Sequence, residues 1–570
     1  MPNVKILNGS DSFRELIESG SYYVDKTDFI EEFFAFGYDQ TSLITRPRRF
    51  GKSLIMSMLD EFFNIEKDSR HLFAGLKIAK NQELCAEWMN NYPVLSISFH
   101  GIEEKTFPEF LENFKILLQN ICLENEVLRE NTDGSDPIKQ RIQSYYTKTS
   151  DLAELKNALL TFCLVLAKHY QKPVILLLDE YDVPLATAWK NNYYEEMISF
   201  LRTLFVQALK SNKYLKFAVL TGCLRIAKES IFTGLNNFTC YGIDQAQFAD
   251  KYGFTNEDVD LLLKSIRAED KKSLLQSWYD GYQFGTSSEI YCPWDVLQYV
   301  KALQKNHNAL PEPYWINTSS NAIVSEFLTK ADLTVKRKWE SLIRGGSISV
   351  AIQQALTFDT LFLSEDHLWS TLYLTGYLTK AKKQNLSEET KEFLQEQRCE
   401  LAIPNTEIQR IFTFATDLWF TALVSEMDRN DFFRSFWDAD EVLFARHIEH
   451  FLQKSISYYD SQFDFCHGFM NGIFFKSGYV VTSNYEHGEG RPDIVVEDSS
   501  NRRVGIIEVK HTTDEKTFSG LAQTALKQIE TRHYDMPFQD ENIQSIVHVG
   551  IAFYKKYCRT KCFRIQRKHN

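Results

Sequence analysis

Short apolar runs separated by longer amphipathic stretches fill the first 285 residues. Five runs have the length and composition of strands: TSLIT (41–45), YPVLSISF (92–99), KPVILLLD (172–179), LKFAVLTG (215–222) and FTCYGI (238–243). The first four are nearly continuous in Leu, Ile, Val or Phe, as expected for strands covered on both faces. The pattern predicts an α/β domain with a mostly parallel sheet over residues 1–285.

Residues 286–410 show a helix-rich pattern with fewer strand signals. The segment LWSTLYLTGYLTKAKK (368–383) predicts a helix followed by a short strand, an order common in winged-helix domains. The charged segment LSEETKEFLQEQ (386–397) is expected at the surface. We therefore predict a helical linker domain here, with a winged helix as one interpretation.

Residues 411–570 begin with helices rich in Phe and Leu and continue as a compact α/β pattern. The predicted order is helix (463–475), strands (478–485, 491–498 and 502–510), helix (520–534) and strand (546–554). This order is typical of the core of a small nuclease-like sheet. It predicts a third domain, a small α/β domain with a nuclease-like sheet, over residues 411–570.

Composition narrows the class of protein. Hydrophobic residues make up 44% and charged residues 25% of 570, which is ordinary for a globular protein, and the length suggests about three or four domains. No run of 18 apolar residues occurs, so no membrane contact is expected. The polar N-terminus carries acids early, unlike a secretory signal, and the ten cysteines are scattered like reduced thiols. We expect a cytoplasmic protein.

Charge is distributed unevenly along the chain. The net charge of −12 argues against coating nucleic acid by bulk electrostatics. The last sixteen residues, however, contain seven cations and no acid: Lys555, Lys556, Arg559, Lys561, Arg564, Arg567 and Lys568. Two interpretations stay open, a tail that contacts phosphates and a frayed, solvated terminus.

A phosphate-binding loop follows the strand TSLIT and precedes the helical segment LIMSMLDEFF. Its residues are Arg46, Pro47, Arg48, Arg49, Phe50, Gly51, Lys52 and Ser53. The general pattern is G-x-x-x-x-G-K-[ST], and here Arg46 stands at the first glycine position. Gly51 would let the backbone approach phosphate, Lys52 would neutralise phosphate oxygens, and Ser53 would ligate Mg²⁺. The loop predicts ATP as a ligand.

Two further strand ends complete the predicted ATP site. Asp179 and Glu180 end the strand KPVILLLD, where Asp179 would hold Mg²⁺ through water and Glu180 would orient the attacking water. The alternative, a buried strand ending in surface acids, is weakened by the loop upstream. Thr221 ends the next strand as a candidate γ-phosphate sensor, and Arg225 would reach phosphate in the same subunit or in a neighbouring copy. A satisfied strand end with a surface arginine is the alternative for this pair.

Several spaced motifs resemble the bacterial AAA-ATPase-like proteins, a branch of the P-loop ATPases. They are YVDKT (23–27), RPRRFGKS (46–53), DEYD (179–182), TGCLRIAKESIFTGLNN (221–237), WYDGYQFG (278–285) and YCPWDV (291–296). The resemblance covers roughly residues 5–300, and it implies that Arg46 at the first glycine position is a family trait. WYDGYQFG is interpreted as packing aromatics in preference to a functional motif.

Carboxylates and a lysine form a second candidate site. Asp493 opens one predicted strand, and Glu508 and Lys510 close the next, on the same face because they are two residues apart. In an antiparallel pair Asp493 meets Glu508, and the two carboxylates would bind Mg²⁺ or Mn²⁺. The residues Pro492-Asp493 and Glu508-x-Lys510 resemble the PD-(D/E)XK nuclease signature, and this resemblance spans about residues 415–560. It implies a fold like that of restriction endonucleases, and it implies that Gln528 contacts the site.

The sequence departs from many nucleases of this fold on the first core helix. A glutamate is common there, whereas this chain has Asp464 and His467, and Glu486 and Glu489 precede Asp493. His467 could take part in metal binding or catalysis, or it could be a core histidine. We expect an ATPase that controls a metal-dependent nuclease acting on nucleic acid. The alternative is an ATP-switched binding protein whose nuclease-like domain is inert.

Overall fold

The structure is a computed structural model. It describes residues 4–7, 9–130, 136–225, 231–232, 237–315, 324, 333–354, 356, 364–381, 398–425, 429–455, 470, 473–474, 479–483, 492–538 and 543–566. Two compact units emerge from the contacts within the chain: residues 1–318 with 341–411, and residues 319–340 with 412–570. The predicted domain boundaries at 285 and 410 remain predictions.

In its described residues the first unit contains ten strands: β1 (Thr41–Thr45), β2 (Val94–Ser98), β3 (Val174–Asp179), β4 (Leu215–Gly222), β5 (Phe238–Tyr241), β6 (Tyr282–Phe284), β7 (Ser287–Ile290), β8 (Ile348–Ala351), β9 (Thr379–Lys380) and β10 (Arg398–Ala402). Its helices are α1 (Phe13–Glu18), α2 (Asp28–Phe34), α3 (Lys52–Phe63), α4 (Arg70–Phe73), α5 (Gln82–Trp88), α6 (Phe107–Glu124), α7 (Glu126–Glu130), α8 (Pro137–Tyr146), α9 (Leu152–Lys156), α10 (Ala158–Tyr170), α11 (Val183–Lys190), α12 (Tyr194–Leu209), α13 (Asn256–Ile266), α14 (Lys272–Tyr279) and α15 (Pro293–Lys305). Helix α16 (Leu333–Ile343) contains residues of both units, α17 (Glu365–Leu374) belongs to the first, and α18 (Thr406–Ser425) again contains residues of both.

A five-stranded sheet of order β2-β3-β4-β1-β5 is the core of the first unit, and every pairing in it is parallel. The predicted parallel sheet is therefore confirmed, and β1 and β4 have the predicted bounds. Every residue of β3 is buried, which explains why the run VILLLD shows no polar alternation. Because all five strands point the same way, their carboxyl ends lie at one edge of the sheet.

Helix α6 shows how sequence sets the covering layer. Thr106 and Glu109 form a capping box at its start, which satisfies backbone N–H groups that the first turn leaves unpaired. Phe110, Phe114 and Leu118 recur every four residues and are all buried. This spacing places them on one stripe of the helix, which packs inward.

The remaining strands of the first unit form two small sheets. Strands β6 and β7 make a two-stranded sheet, and β8, β10 and β9 make an antiparallel three-stranded sheet in that order. Helix α17 leads to β9, as the segment 368–383 predicts. The winged-helix interpretation remains a prediction, and the charged segment 386–397 lies outside the described residues.

The second unit is built on another five-stranded sheet, of strands β11 (Val480–Ser483), β12 (Ile494–Asp498), β13 (Arg503–His511), β14 (Ser545–Tyr554) and β15 (Tyr557–Gln566), in that order. The helices that lie wholly in this unit's described residues are α19 (Arg429–Trp437), α20 (Glu441–Ser455) and α21 (Glu515–Thr531). Only β13 and β14 pair in parallel in this sheet. The four predicted strands and the helix that carries Gln528 are confirmed.

The two faces of this second sheet bury different residues. Ile494, Ile507 and Val509 join the larger cluster with residues of α19 and α20. Val495 and Ile506 face the opposite way, into a cluster that contains Ile529 of α21. Since side chains alternate along a strand, Asp493, Glu508 and Lys510 fall on the α21 face.

The basic C-terminal segment forms strand β15, paired antiparallel with β14. The frayed-terminus interpretation is therefore wrong for residues 557–566. It failed because the cations mask an alternation in which Cys558 and Thr560 are buried. The outer N–H groups of Cys558 and Cys562 donate to Glu449 (3.0 Å) and Glu441 (3.1 Å) of α20, which close this sheet edge.

In the part of the chain that the structure describes, no helix combines the length and the apolar character that crossing a membrane requires.

Candidate nucleotide and nuclease sites

The turn from β1 into α3 gives the candidate phosphate-binding loop its shape. Gly51 occupies the N-cap of α3 with φ 86°, a left-handed conformation that side chains with a Cβ adopt only with strain. Lys52 and Ser53 begin the helix, so the free backbone N–H groups of its first turn face the loop. Such a helix start favours an anion.

Lys52 is buried, and its ammonium lies against the loop itself. Its Nζ donates to the carbonyl oxygens of Arg46 (3.1 Å) and Pro47 (2.9 Å). The Cys223 sulfur lies 3.6 Å from the same Nζ. The lysine is thus positioned by three acceptors around the space that the loop encloses.

The other loop residues contact different neighbours. Arg46 is fully buried, and its guanidinium donates to backbone carbonyls, including those of Tyr241 (2.9 Å) and Phe248 (3.2 Å). Burial lowers the pKa of Arg46 to about 10. The Arg46 side chain is thus bound inside the protein. These internal contacts accommodate an arginine at the position where the general loop pattern has glycine.

Arg49 and Phe50 anchor the loop to the motif WYDGYQFG and its surroundings. Arg49 donates to the Tyr314 carbonyl (3.1 Å) and stacks over the Trp294 ring. Phe50 packs on the rings of Tyr282 and Phe284, with centroids 5.0 and 5.1 Å away. The aromatics of WYDGYQFG therefore pack against the loop. Arg48 is exposed beside Pro47, and its guanidinium hydrogen-bonds the Cys223 sulfur.

Asp179 and Thr221 meet at adjacent strand ends. The Thr221 hydroxyl donates to Asp179 Oδ1, and the Glu180 N–H donates to the same oxygen at 3.0 Å. Because β3, β4 and β1 are neighbours, these residues lie at the sheet edge that carries the loop. Arg225 follows β4, and its carbonyl accepts the Leu356 N–H at 3.2 Å.

Glu180 is held away from regular strand geometry. Its φ is 53°, and its carboxylate bonds the exposed His100 imidazole at 2.9 Å. This hydrogen bond raises the pKa of His100. The motif analysis missed His100. The available signal was its place just after β2, because β2 is the neighbour of β3 and its carboxyl end lies at the same sheet edge.

A buried carboxylate pair lies beside the loop. Asp295 in the first turn of α15 and Glu407 in the first turn of α18 hydrogen-bond each other, and Glu407 Oε1 accepts the Trp315 N–H at 2.8 Å. Burial raises the pKa of both carboxyls, and their mutual repulsion raises that of Glu407 further. The Arg49 charge opposes the rise at Asp295. Sequence reasoning missed the pair because its members are far apart along the chain.

This pair predicts a pH-dependent stability. The pKa values of the pair are higher in the folded state than in the unfolded state, where they are near about 4. The contribution of the pair to the free energy of unfolding is therefore fully present below the unfolded pKa values, and it is lost as the pH rises through the folded pKa values. In Glu407→Gln the amide keeps hydrogen-bonding capacity without titrating. We expect the wild-type melting temperature to fall more than that of Glu407→Gln between about pH 5 and pH 8.

Calorimetry across that pH range measures the difference. Glu83→Gln is the matched control, because Glu83 is exposed on α5 and its variant should follow the wild-type profile. Parallel pH profiles for Glu407→Gln and wild type would contradict the assignment.

The second site lies on the α21 face of the C-terminal sheet. Asp493 immediately precedes the antiparallel pair Ile494–Ile507, and its Oδ2 accepts the Val509 N–H at 2.7 Å. Gln528 on α21 joins the other two residues: its Oε1 accepts from Lys510 Nζ at 2.7 Å, and its Nε2 donates to Glu508 Oε1. Lys510 Nζ lies 3.6 Å from Glu508 Oε1. The structure thus brings together Asp493, Glu508, Lys510 and Gln528.

Comparison with known families matches two separate parts of the chain. Residues 8–232 match the family model described as "Predicted AAA-ATPase", and residues 464–562 match the model described as "PD-(D/E)XK nuclease superfamily". The chain carries an AAA-ATPase-like domain and a PD-(D/E)XK superfamily domain. The predicted family resemblances are confirmed at the level of these domains.

One curated relative extends across much of the chain. An "Uncharacterized protein in vnfD 5'region" of Azotobacter chroococcum mcd 1 is 24% identical over 415 residues. The alignment covers 72% of this chain and 69% of the relative.

The carboxylates of the PD-(D/E)XK domain fit a divalent cation. Burial and the Asp493 charge raise the pKa of Glu508 to about 7, and Glu508 Oε2 is buried with no hydrogen-bond partner among the residues that the structure describes. A cation beside this oxygen would relieve both effects. Within the described residues, no group of three or more His, Cys, Asp or Glu side chains forms a metal cluster. Asp493 and Glu508 alone suit Mg²⁺, which keeps several waters as ligands.

Metal binding should stabilise this domain. Without nucleotide, we expect saturating Mg²⁺ or Mn²⁺ to raise its melting temperature by about 2–6 °C, since a ligand that binds only the folded state adds free energy of unfolding. Asp493→Asn should lose the shift. Glu497→Gln on the same strand is the control that should keep it, and an equal shift in Asp493→Asn would contradict the site.

Four candidate residues of this domain lie outside the described residues: Asp464, His467, Glu486 and Glu489. They remain predictions. The motif analysis missed Tyr534. This residue lies at the site, because its hydroxyl is 3.5 Å from Gln528 Nε2. Its place six residues after Gln528, just beyond α21, was the available signal.

Proposed function

We propose that this protein hydrolyses ATP in its AAA-ATPase-like domain and that this reaction controls a metal-dependent nuclease in its PD-(D/E)XK domain. The observation that carries the nuclease assignment is the link from Lys510 through Gln528 to Glu508, with Asp493 on the neighbouring strand. These groups combine two metal-binding oxygens with one phosphate-binding cation.

The nuclease residues have separate roles. Asp493 and Glu508 would hold Mg²⁺ or Mn²⁺, and the bound ion would polarise a phosphodiester and lower the pKa of a water. Lys510 binds the phosphate oxygen and neutralises the charge that develops on it. Gln528 holds the Lys510 ammonium in place through its amide oxygen.

The ATPase residues divide in the same way. Gly51, Lys52 and the first turn of α3 bind the phosphates, while Ser53 and Asp179 would hold Mg²⁺. Glu180 orients the attacking water, and the Thr221 hydroxyl senses the γ-phosphate. Arg225 and the arginines of the loop contribute positive charge, and Arg225 from a neighbouring copy would give a homo-oligomeric site.

Control of one site by the other is supported by their presence on a single chain. A binding protein with an inert PD-(D/E)XK domain is the competing function.

An ATPase assay with and without nucleic acid tests the control. We expect single- or double-stranded DNA or RNA to change the steady-state rate at least about threefold, and Lys52→Ala to abolish the rate. The response should persist in Lys510→Ala, which still binds nucleic acid. An ATPase rate that no nucleic acid changes, together with a cleavage rate that ATP does not change, would contradict the proposed control of the nuclease by ATP hydrolysis.

A further inference from the structure

Asp182 follows the acidic strand end of β3, yet none of the roles above uses it. It occupies the N-cap of α11, a position where aspartate normally accepts an N–H of its own helix. Here it makes no such side-chain bond. The carboxylate is buried, with 6% of the residue exposed, so its bonds must lie elsewhere.

Those bonds go to the segment that follows β4. Asp182 Oδ2 accepts the N–H of Cys223 at 2.9 Å and the N–H of Leu224 at 3.0 Å. The neighbouring Tyr181 hydroxyl donates to the Leu224 carbonyl at 2.6 Å. Tyr181 and Asp182, just after β3, therefore hold the backbone of Cys223 and Leu224, just after β4.

Gly222 makes this contact close. A Cβ at Gly222 would lie 2.6 Å from the Tyr181 ring and 2.7 Å from Asp182 Oδ1. Both side chains thus pack on the bare Cα of the glycine. The two segments therefore approach each other too closely for a residue with a Cβ at position 222.

The held segment carries two groups of the nucleotide site. Thr221, just before Gly222, donates its hydroxyl to Asp179, and Cys223, just after it, places its sulfur 3.6 Å from Lys52 Nζ. Fixing the backbone from Gly222 to Leu224 therefore fixes two contacts. Thr221 contacts Asp179, the proposed magnesium ligand, and Cys223 contacts Lys52, the proposed phosphate ligand.

We propose that Asp182 is a positioning residue of the nucleotide site, which holds the Gly222–Leu224 backbone so that Thr221 orients Asp179 and Cys223 contacts Lys52. This role rests on the proposed ATP hydrolysis. Asp182 acts through these neighbours and touches no phosphate.

Substitutions at Asp182 separate positioning from folding. Asp182→Ala removes the acceptor, and we expect kcat for ATP to fall at least about tenfold while the Kd for ATP changes less than about threefold. Asp182→Asn keeps an acceptor oxygen and should recover at least about a third of the wild-type kcat. Tyr181→Phe removes only the Leu224 bond and should lower kcat about threefold.

Asp151→Ala is the control for a loss of stability that arises outside the nucleotide site. Asp151 caps α9 through a capping box, distant in sequence from the site, so its variant should lower the melting temperature without changing kcat. If Asp182→Ala lowers only the melting temperature, as Asp151→Ala does, the positioning role is overturned.

A labelling experiment decides the role independently of ATP turnover. The Cys223 peptide is followed by mass spectrometry during alkylation with N-ethylmaleimide. We expect Cys223 in Asp182→Ala to react at least about fivefold faster than in wild type, Asp182→Asn or Asp151→Ala, because its segment is released. Equal rates would overturn the proposal. A wild type that hydrolyses no ATP but shows this pattern would instead refute the proposed ATPase and leave the positioning role standing.

Discussion

Lys510→Ala should lower the rate of phosphodiester cleavage by at least about 100-fold, while nucleic-acid binding remains within a few-fold of wild type. Removing one well-placed donor from a developing charge typically has an effect of this size. Lys510 is such a donor, since its ammonium is fixed 2.7 Å from Gln528 Oε1 beside the Asp493–Glu508 pair. Single-turnover cleavage with Mg²⁺ or Mn²⁺ measures the loss.

Lys516→Ala is the control, because Lys516 is exposed in the first turn of α21 and the variant keeps the net charge of Lys510→Ala. Gln528→Ala should show a smaller loss than Lys510→Ala, since the lysine remains but its position is no longer fixed. Full cleavage activity in Lys510→Ala would remove this cluster from the reaction.

Lys52→Ala should weaken ATP binding by about 10- to 150-fold, since a hydrogen bond to a charged group contributes about 1.5–3 kcal/mol and 1.4 kcal/mol is tenfold in affinity. Lys52 Nζ lies inside the loop, bonded to the carbonyls of Arg46 and Pro47, and phosphate oxygens would take the place of these acceptors. Titration with a fluorescent ATP analogue measures the dissociation constant.

Lys80→Ala, at an exposed lysine of the short 3-10 helix Lys77–Lys80, is the control for lost positive charge. Gly51→Ala should weaken binding as well. No atom of the described residues lies within 4 Å of a Cβ built at Gly51, so the effect of the substitution would come from φ 86°. Unchanged affinity in Lys52→Ala would contradict the nucleotide site.

Sequence patterns predicted most of both sheets because the strands follow simple rules of burial. The fully buried β3 carries an unbroken apolar run, and β1 and β4 could be bounded to the residue. The grouping of the proposed nuclease residues was predictable for a similar reason. Period-two alternation puts Glu508 and Lys510 on one face, and antiparallel pairing brings Asp493 to them.

Contacts between residues distant in the sequence were beyond prediction. The Asp295–Glu407 pair and the Glu180–His100 bond depend on how elements pack, which no local pattern records. Strand β15 was hidden because its exposed cations resemble a solvated tail, whereas its buried face is set by pairing with β14. Arg46 lies in the loop motif, but only the structure shows its guanidinium bound to backbone carbonyls.

The central claim is that ATP hydrolysis controls a nuclease on the same chain. The most direct test is cleavage of single- and double-stranded DNA and RNA with Mg²⁺ or Mn²⁺, with and without ATP, by wild type, Lys510→Ala and Lys52→Ala. The account predicts cutting that disappears in Lys510→Ala, that responds to ATP in wild type and that ignores ATP in Lys52→Ala. Absence of cutting by the wild type under every condition would contradict it and favour the ATP-switched binding protein.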